Sequence, residues 1–147
     1  MQTNIIWQPQ PKQAEFMSRP EFEALYGGAA GGGKSDALLA EALRQVNFKN
    51  YRALLLRKTY PQLRELIDRS RAIYSLVSPY AKYNDTKHEW VFPSGAKIIF
   101  GSLNHESDRF NYQGHQYAFI GFDELTHFTY DEYMYLHSRC RCADPNI

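Results

Sequence analysis

The sequence predicts an α/β sandwich on a mostly parallel sheet, and three stretches carry that prediction. Residues 26–35, YGGAAGGGKS, set a glycine-rich loop between a short apolar segment and an amphipathic one. Ala53-Leu54-Leu55-Leu56 is a continuous apolar run, as a strand covered on both faces requires. Tyr117-Ala118-Phe119-Ile120-Gly121-Phe122 is a second such run, closed by Asp123-Glu124. The resulting order β-α-β-α-ββ-β-α is that of helices packed on a sheet whose strands are connected by crossovers.

Each element has its own signal. Residues 1–20 form a leader rich in Pro and Gln, with a short helix expected over 12–18 after Pro11. Phe22-Glu23-Ala24-Leu25-Tyr26 opens a strand over 22–27. Ala37, Leu38, Leu39, Ala42, Leu43 and Val46 share one helical face, which predicts a helix over 34–48. Asn50-Tyr51 turns the chain into the ALLL strand, which ends at Arg57-Lys58-Thr59. Thr59 is the expected N-cap of the next helix, with Pro61 in its first turn and Pro79 as its stop. Leu63, Leu66, Ile67, Ile73, Tyr74 and Val77 form its apolar stripe, and Arg64, Asp68 and Arg71 its polar side. Residues 89–92 and 96–101 flank Pro93-Ser94-Gly95 and read as a hairpin. Residues 102–116 are polar, and a last helix is expected over 129–140.

Composition excludes several classes. The chain of 147 residues is long enough for one domain with its own core, assigned to residues 21–147. A net charge of +1 does not demand a nucleic-acid partner, so any DNA contact must come from a local patch. Residues 52–71 supply one: Arg52, Arg57, Lys58, Arg64, Arg69 and Arg71 against Glu65 and Asp68. For Arg64, Arg69 and Arg71 the plainer expectation is a solvated helix face with i,i+4 pairs. Cys140 and Cys142 are too close for an easy mutual disulfide and read as reduced thiols in a reducing cytoplasm. A zinc site with His137 lacks a nearby fourth ligand. No signal peptide and no apolar run of membrane-spanning length is apparent.

Gly28, Gly33, Lys34 and Ser35 satisfy G-x-x-x-x-G-K-[ST], the phosphate-binding loop pattern. Its residue types follow from its chemistry. Backbone N–H groups can surround clustered phosphate oxygens only where no Cβ intrudes, which glycine permits. Lys34 would set a point charge against the β/γ-phosphates of ATP, and the Ser35 hydroxyl would ligate Mg²⁺. The dipole of the following helix adds to the attraction. A flexible linker would not sit between an apolar strand and an amphipathic helix. The second half of such a site is an acid at a strand end. Asp123 closes an apolar strand and would hold Mg²⁺ at the C-terminal edge of the sheet; Glu124, one residue on, would polarise an attacking water. Taken alone, Asp123-Glu124 would read as an exposed acidic pair; the upstream glycine loop shifts the balance. Gln13 is either a solvated leader residue or a bidentate partner for the adenine edge.

Together, Gln13, YGGAAGGGKS, LLLRKTYPQLRELI, the WVFPSGAKIIFG hairpin and YQGHQYAFIGFDELTHF resemble the ATPase domain of the large terminase subunit of tailed bacteriophages, over about residues 9–142. The glycine loop and the Asp-Glu pair are shared with many ATPases; RKTYP and FDELTHF with the double-glycine opening are far more specific. The resemblance implies a RecA-like, ASCE-type P-loop fold and an ATP-driven motor that moves double-stranded DNA through a portal into a procapsid. Its implied partners are DNA, the portal protein, the small terminase subunit and other copies in a ring, with no membrane; its implied place is the host cytoplasm, transiently at the portal. By that resemblance Gln13 reads adenine, Gly28, Gly31, Gly32, Gly33, Lys34 and Ser35 bind phosphate, Ser35 and Asp123 hold Mg²⁺, and Glu124 is catalytic. An arginine finger is also implied: Arg109 is the candidate in this chain and Arg57 its rival. The sequence stops at Asp144-Pro145-Asn146-Ile147, ahead of the coupling segment and nuclease domain such proteins carry, so an ATPase domain incomplete at its C-terminal side, without DNA cleavage, is expected. The alternatives are a helicase-like or DNA-repair ATPase, and a nucleotide-binding module without catalysis.

Overall fold

The computed structural model describes residues 4–5, 33–112, 114–124 and 127–140. They form a six-stranded mixed sheet with helices on both faces. In chain order the elements are β1 (Asn4–Ile5), α1 (Gly33–Ala42), β2 (Arg52–Arg57), α2 (Tyr60–Val77), β3 (Lys82–Asn84), β4 (Glu89–Val91), β5 (Lys97–Ser102), β6 (Phe119–Phe122) and α3 (Tyr130–His137). The strand order is β1-β6-β2-β5-β4-β3. Its centre is parallel: β2 lies between β5 and β6 and runs with both. The β1·β6, β3·β4 and β4·β5 pairs are antiparallel. The expected helix at 12–18 and strand at 22–27 lie outside the described residues.

The uninterrupted apolar run of β2 follows from its central place. Ala53 and Leu55 face a core shared with α1, α2 and the hairpin, where Leu38, Leu39, Leu63, Leu66, Tyr74 and Ile98 are buried. Leu54 and Leu56 face the opposite core, with Ile120, Phe122, Leu103 and Leu136 of α3. Neither face of β2 meets water, so period-two alternation has nothing to select for.

Helix α2 begins where its sequence indicates. The Thr59 side chain accepts a hydrogen bond from the Gln62 N–H, and Pro61 occupies the first turn. The stripe holds at Leu63, Leu66, Ile67, Ile73 and Tyr74 but not at Val77, which is exposed. Ser70 is buried in the stripe instead: its hydroxyl donates to the Ile67 carbonyl and accepts from Trp90 Nε1 at 3.0 Å. Arg69 leaves the expected i,i+4 pattern and forms a bidentate pair with Asp36 of α1, at 2.7 and 2.8 Å.

Helix α1 is shorter than the expected 34–48. It gives way after Ala42 to a 3-10 turn, Leu43–Gln45, and the Tyr51 hydroxyl donates to the Ala42 carbonyl at 2.7 Å. That bond and the Val46 N–H to Leu43 carbonyl contact replace the next α-helical hydrogen bond. Glu41 and Arg44 are both buried and ion-paired with each other, which the apolar stripe did not foreshadow.

The hairpin of β4 and β5 has the register expected around Pro93-Ser94-Gly95, pairing Trp90 with Ile98. Gly95 has a φ of +99°, which glycine adopts without strain. β3 was not foreseen in the sequence; it joins β4 through a turn in which Asn84 Oδ1 accepts from the Thr86 and Lys87 N–H groups at 3.0 Å. The polar stretch after β5 holds a 3-10 segment, Glu106–Tyr112. The last helix is shorter than 129–140 and starts from a capping box between Thr129 and Glu132.

Gly121 sets how closely α1 approaches β6. A Cβ there would stand 2.4 Å from Leu38 Cδ1 and 3.1 Å from Leu55 Cδ2, both in fully buried side chains. Gly121→Ala should lower unfolding stability by about 1–3 kcal/mol through overpacking, measured by urea denaturation. Glu41 supplies a pH-dependent prediction. Burial raises its pKa above the ordinary 4.5, against the opposing pull of Arg44. Its folded value exceeds its unfolded one, so its contribution is full below the unfolded value and is lost as pH rises through the folded one. The stability difference between wild type and Glu41→Gln should therefore fall as pH is raised from 4.5 and then level off, read from urea titrations across that range.

Candidate functional site

The site forms where β2, β6 and α1 end together. In the parallel register Leu56 lies opposite Phe122, and the Asp123 N–H donates to the Leu56 carbonyl at 2.9 Å. The next residues out, Arg57 and Asp123, therefore emerge side by side at the C-terminal edge of the sheet, where open α/β sheets collect ligands. The close α1–β6 packing at Gly121 brings the first turn of α1 to the same edge.

Three side chains meet there. Asp123 is fully buried, and its Oδ2 accepts a hydrogen bond from Ser35 Oγ at 3.0 Å across 88 residues of sequence. Arg57, 7% exposed, is ion-paired through Nε with the same Oδ2. Its Nη2 donates to Ser35 Oγ at 3.3 Å, and its Nη1 lies 4.0 Å from Glu124 and 3.9 Å from the exposed Glu65.

Glu124 follows the strand at a φ of +61°, a left-handed conformation uncommon outside glycine. The turn is closed by the His127 N–H donating to the Glu124 carbonyl at 3.0 Å. The Glu124 carboxylate lies 3.2 Å from His127 Nδ1. Residues held in such backbone regions cluster at functional sites.

The donor set suits a small hard cation. The buried Asp123 carboxylate and the Ser35 hydroxyl both offer oxygen, with the Glu124 carboxylate nearby. The Arg57 guanidinium against Asp123 already marks this point as one that favours positive charge.

The remaining predicted residues divide by position. Gly33 and Lys34 open α1, the helix that carries Ser35. Gln13, Gly28, Gly31 and Gly32 lie outside the described residues. Arg109 belongs to the 3-10 segment and lies over the Phe110 ring at 4.3 Å. It is Arg57 that touches Ser35 and Asp123.

The family model for the terminase large subunit, T4likevirus-type, N-terminal, matches residues 25–144. The chain belongs to this family. No curated protein and no solved structure matches it significantly. Family membership gives the chain a role in phage DNA packaging, with DNA and the packaging apparatus as its general partners. Among the described residues no helix is long and apolar enough to cross a membrane.

Sequence reasoning missed two supports of this candidate site. Gly121 is one; an isolated glycine inside an apolar strand signals close approach of another element. The other is Glu132. It is fully buried in α3, receives Lys58 Nζ at 2.9 and 2.8 Å, and accepts from the Thr129 N–H at 2.8 Å. Its signal was the T-x-x-E of the capping box, which announces a helix start but not a partner across the sheet. The adjacent residues Arg57 and Lys58 thus tie the end of β2 to β6 on one side and α3 on the other.

Removing one partner of a buried ion pair costs about 3–5 kcal/mol, less where one group reaches water. Lys58→Ala should therefore destabilise the fold by about 2–3 kcal/mol in urea melts, and Lys58→Met combined with Glu132→Gln by less.

Proposed function

We propose that this chain binds Mg·ATP at the C-terminal edge of its sheet and hydrolyses it to drive double-stranded DNA into a procapsid. The observation that carries the reading is the 3.0 Å contact between Ser35 of the G-K-S loop end and Asp123 of the strand-end Asp-Glu pair. Phosphate-loop chemistry needs that hydroxyl and that carboxylate on one metal ion. Within this reading the fold belongs with the RecA-like, ASCE-type P-loop sandwiches. The parallel β2–β6 pair supports that placement, since it delivers the acid to the edge where α1 begins.

Each residue then has a task. The glycines of 28–33 and the N-terminus of α1 surround the phosphates, and Lys34 neutralises the β/γ-phosphates. Ser35 and Asp123 would hold Mg²⁺, which would supply positive charge to offset the charge that develops on the phosphates. Glu124 orients and polarises the attacking water, with His127 at 3.2 Å limiting where its carboxylate points. Gln13 selects adenine, and Arg109 is the proposed arginine finger. DNA, portal protein, small terminase subunit and further copies in a ring complete the motor, which acts in the host cytoplasm at the portal.

Phosphate release measured with and without double-stranded DNA tests the reading. Wild type should exceed both variants, Glu124→Gln retaining ATP binding without turnover and Lys34→Ala binding ATP weakly. A single background rate for all three would end the catalytic claim.

A further inference from the structure

We propose that Arg57 is an internal counter-cation that keeps free divalent metal off Asp123 and releases the carboxylate only to metal arriving with a nucleotide. This rests on the nucleotide reading above and adds a specificity that the reading does not contain.

The argument starts from which atoms Arg57 engages. Its Nε pairs with Asp123 Oδ2, the oxygen that Ser35 also reaches. Its Nη2 donates to Ser35 Oγ, and its Nη1 lies 4.0 Å from Glu124. One guanidinium therefore engages both oxygen ligands assigned to the metal, Ser35 and Asp123, and lies 4.0 Å from the proposed catalytic Glu124. Arg57 is almost wholly buried and Asp123 completely so, which keeps the interaction between them weakly screened.

A second cation at the same oxygen would meet the guanidinium at short range. Bare Mg²⁺ must both shed water, which it does reluctantly, and displace Arg57 with no new acceptor to offer it. A nucleotide changes that balance. Its phosphate oxygens are bidentate acceptors for a guanidinium, so Arg57 can leave the carboxylate for a phosphate. The backbone beside it is held meanwhile by Lys58 on the buried Glu132, so the exchange needs side-chain torsions alone. A lysine could not do the same, because a single ammonium cannot reach Asp123, Ser35 and Glu124 in a fixed fork.

The test uses the whole 147-residue chain, with MgCl2 alone and with Mg·ADP as probes, read by isothermal titration and thermal melting. Wild type should show no melting shift with millimolar MgCl2 and a clear upward shift with Mg·ADP. Arg57→Gln should melt lower without metal, regain part of that loss on MgCl2 alone, and bind free Mg²⁺ at least about tenfold more tightly than wild type. Arg57→Lys should fall between the two. A purely structural pair would lower the melting temperature without creating any response to MgCl2. That result, with Mg·ADP still stabilising wild type, overturns the counter-cation role alone. If Mg·ADP stabilises neither wild type nor the Lys variant, the nucleotide reading falls and takes this inference with it. Should Arg57→Gln fail to fold, wild type and Arg57→Lys still decide: wild type responding to MgCl2 as strongly as the Lys variant sinks the proposal.

Discussion

A fully buried carboxylate at the end of β6 is the constraint on which the site depends. Asp123 sits in a place where an unbalanced charge would cost several kcal/mol. The fold meets that cost by bringing two distant groups to one oxygen: the Arg57 guanidinium from the neighbouring parallel strand and the Ser35 hydroxyl from the first turn of α1. Parallel pairing makes this possible. Only strands that run together end at one edge, and only then do Arg57 and Asp123 share a level.

The supports around the carboxylate are built in the same way, from packing that looks remote from any chemistry. Gly121 lets α1 lie close on β6, which fixes the height of Ser35. Lys58 is held by Glu132, and Glu132 also closes the capping box that starts α3. Helix start, strand end and charge pair are therefore one unit. On the far side of α1, Asp36 and Arg69 join the two helices that cover this face of the sheet. The site is framed by charge pairs between elements that are not adjacent in sequence.

Much of the fold was legible because the signals were local. The ALLL and AFIGF runs announced buried strands, Thr59 and Pro61 announced α2, and Pro93-Ser94-Gly95 announced the β4–β5 turn. The G-K-S and Asp-Glu stretches likewise singled out Ser35 and Asp123, two residues that the fold brings within 3.0 Å. What was misread was set by contacts between elements. Helix α1 ends early because the Tyr51 hydroxyl takes a helical carbonyl, and no propensity encodes that contact. Val77 is exposed at the last residue of α2, and two turns earlier Ser70 is buried because Trp90 offers it a donor. β3 carries no apolar signal at Lys82 and Asn84 because it lies at the sheet edge.

The sequence by itself determined the chemistry on offer: glycines and a Lys-Ser pair that suit phosphate, acids that suit a hard cation, and apolar runs that must be buried. These follow from side-chain identity and short spacing, which a linear chain already contains. Tertiary structure alone decided which arginine stands at the acid. Arg109 and its rival Arg57 were the two arginines named for an arginine finger, and nothing local in the sequence says what either one touches. The parallel register of β2 and β6 puts Arg57 against Asp123, while Arg109 lies over an aromatic ring in the 3-10 segment. A charge pair across 66 residues is a property of strand order, and strand order is set by which apolar faces can be covered together.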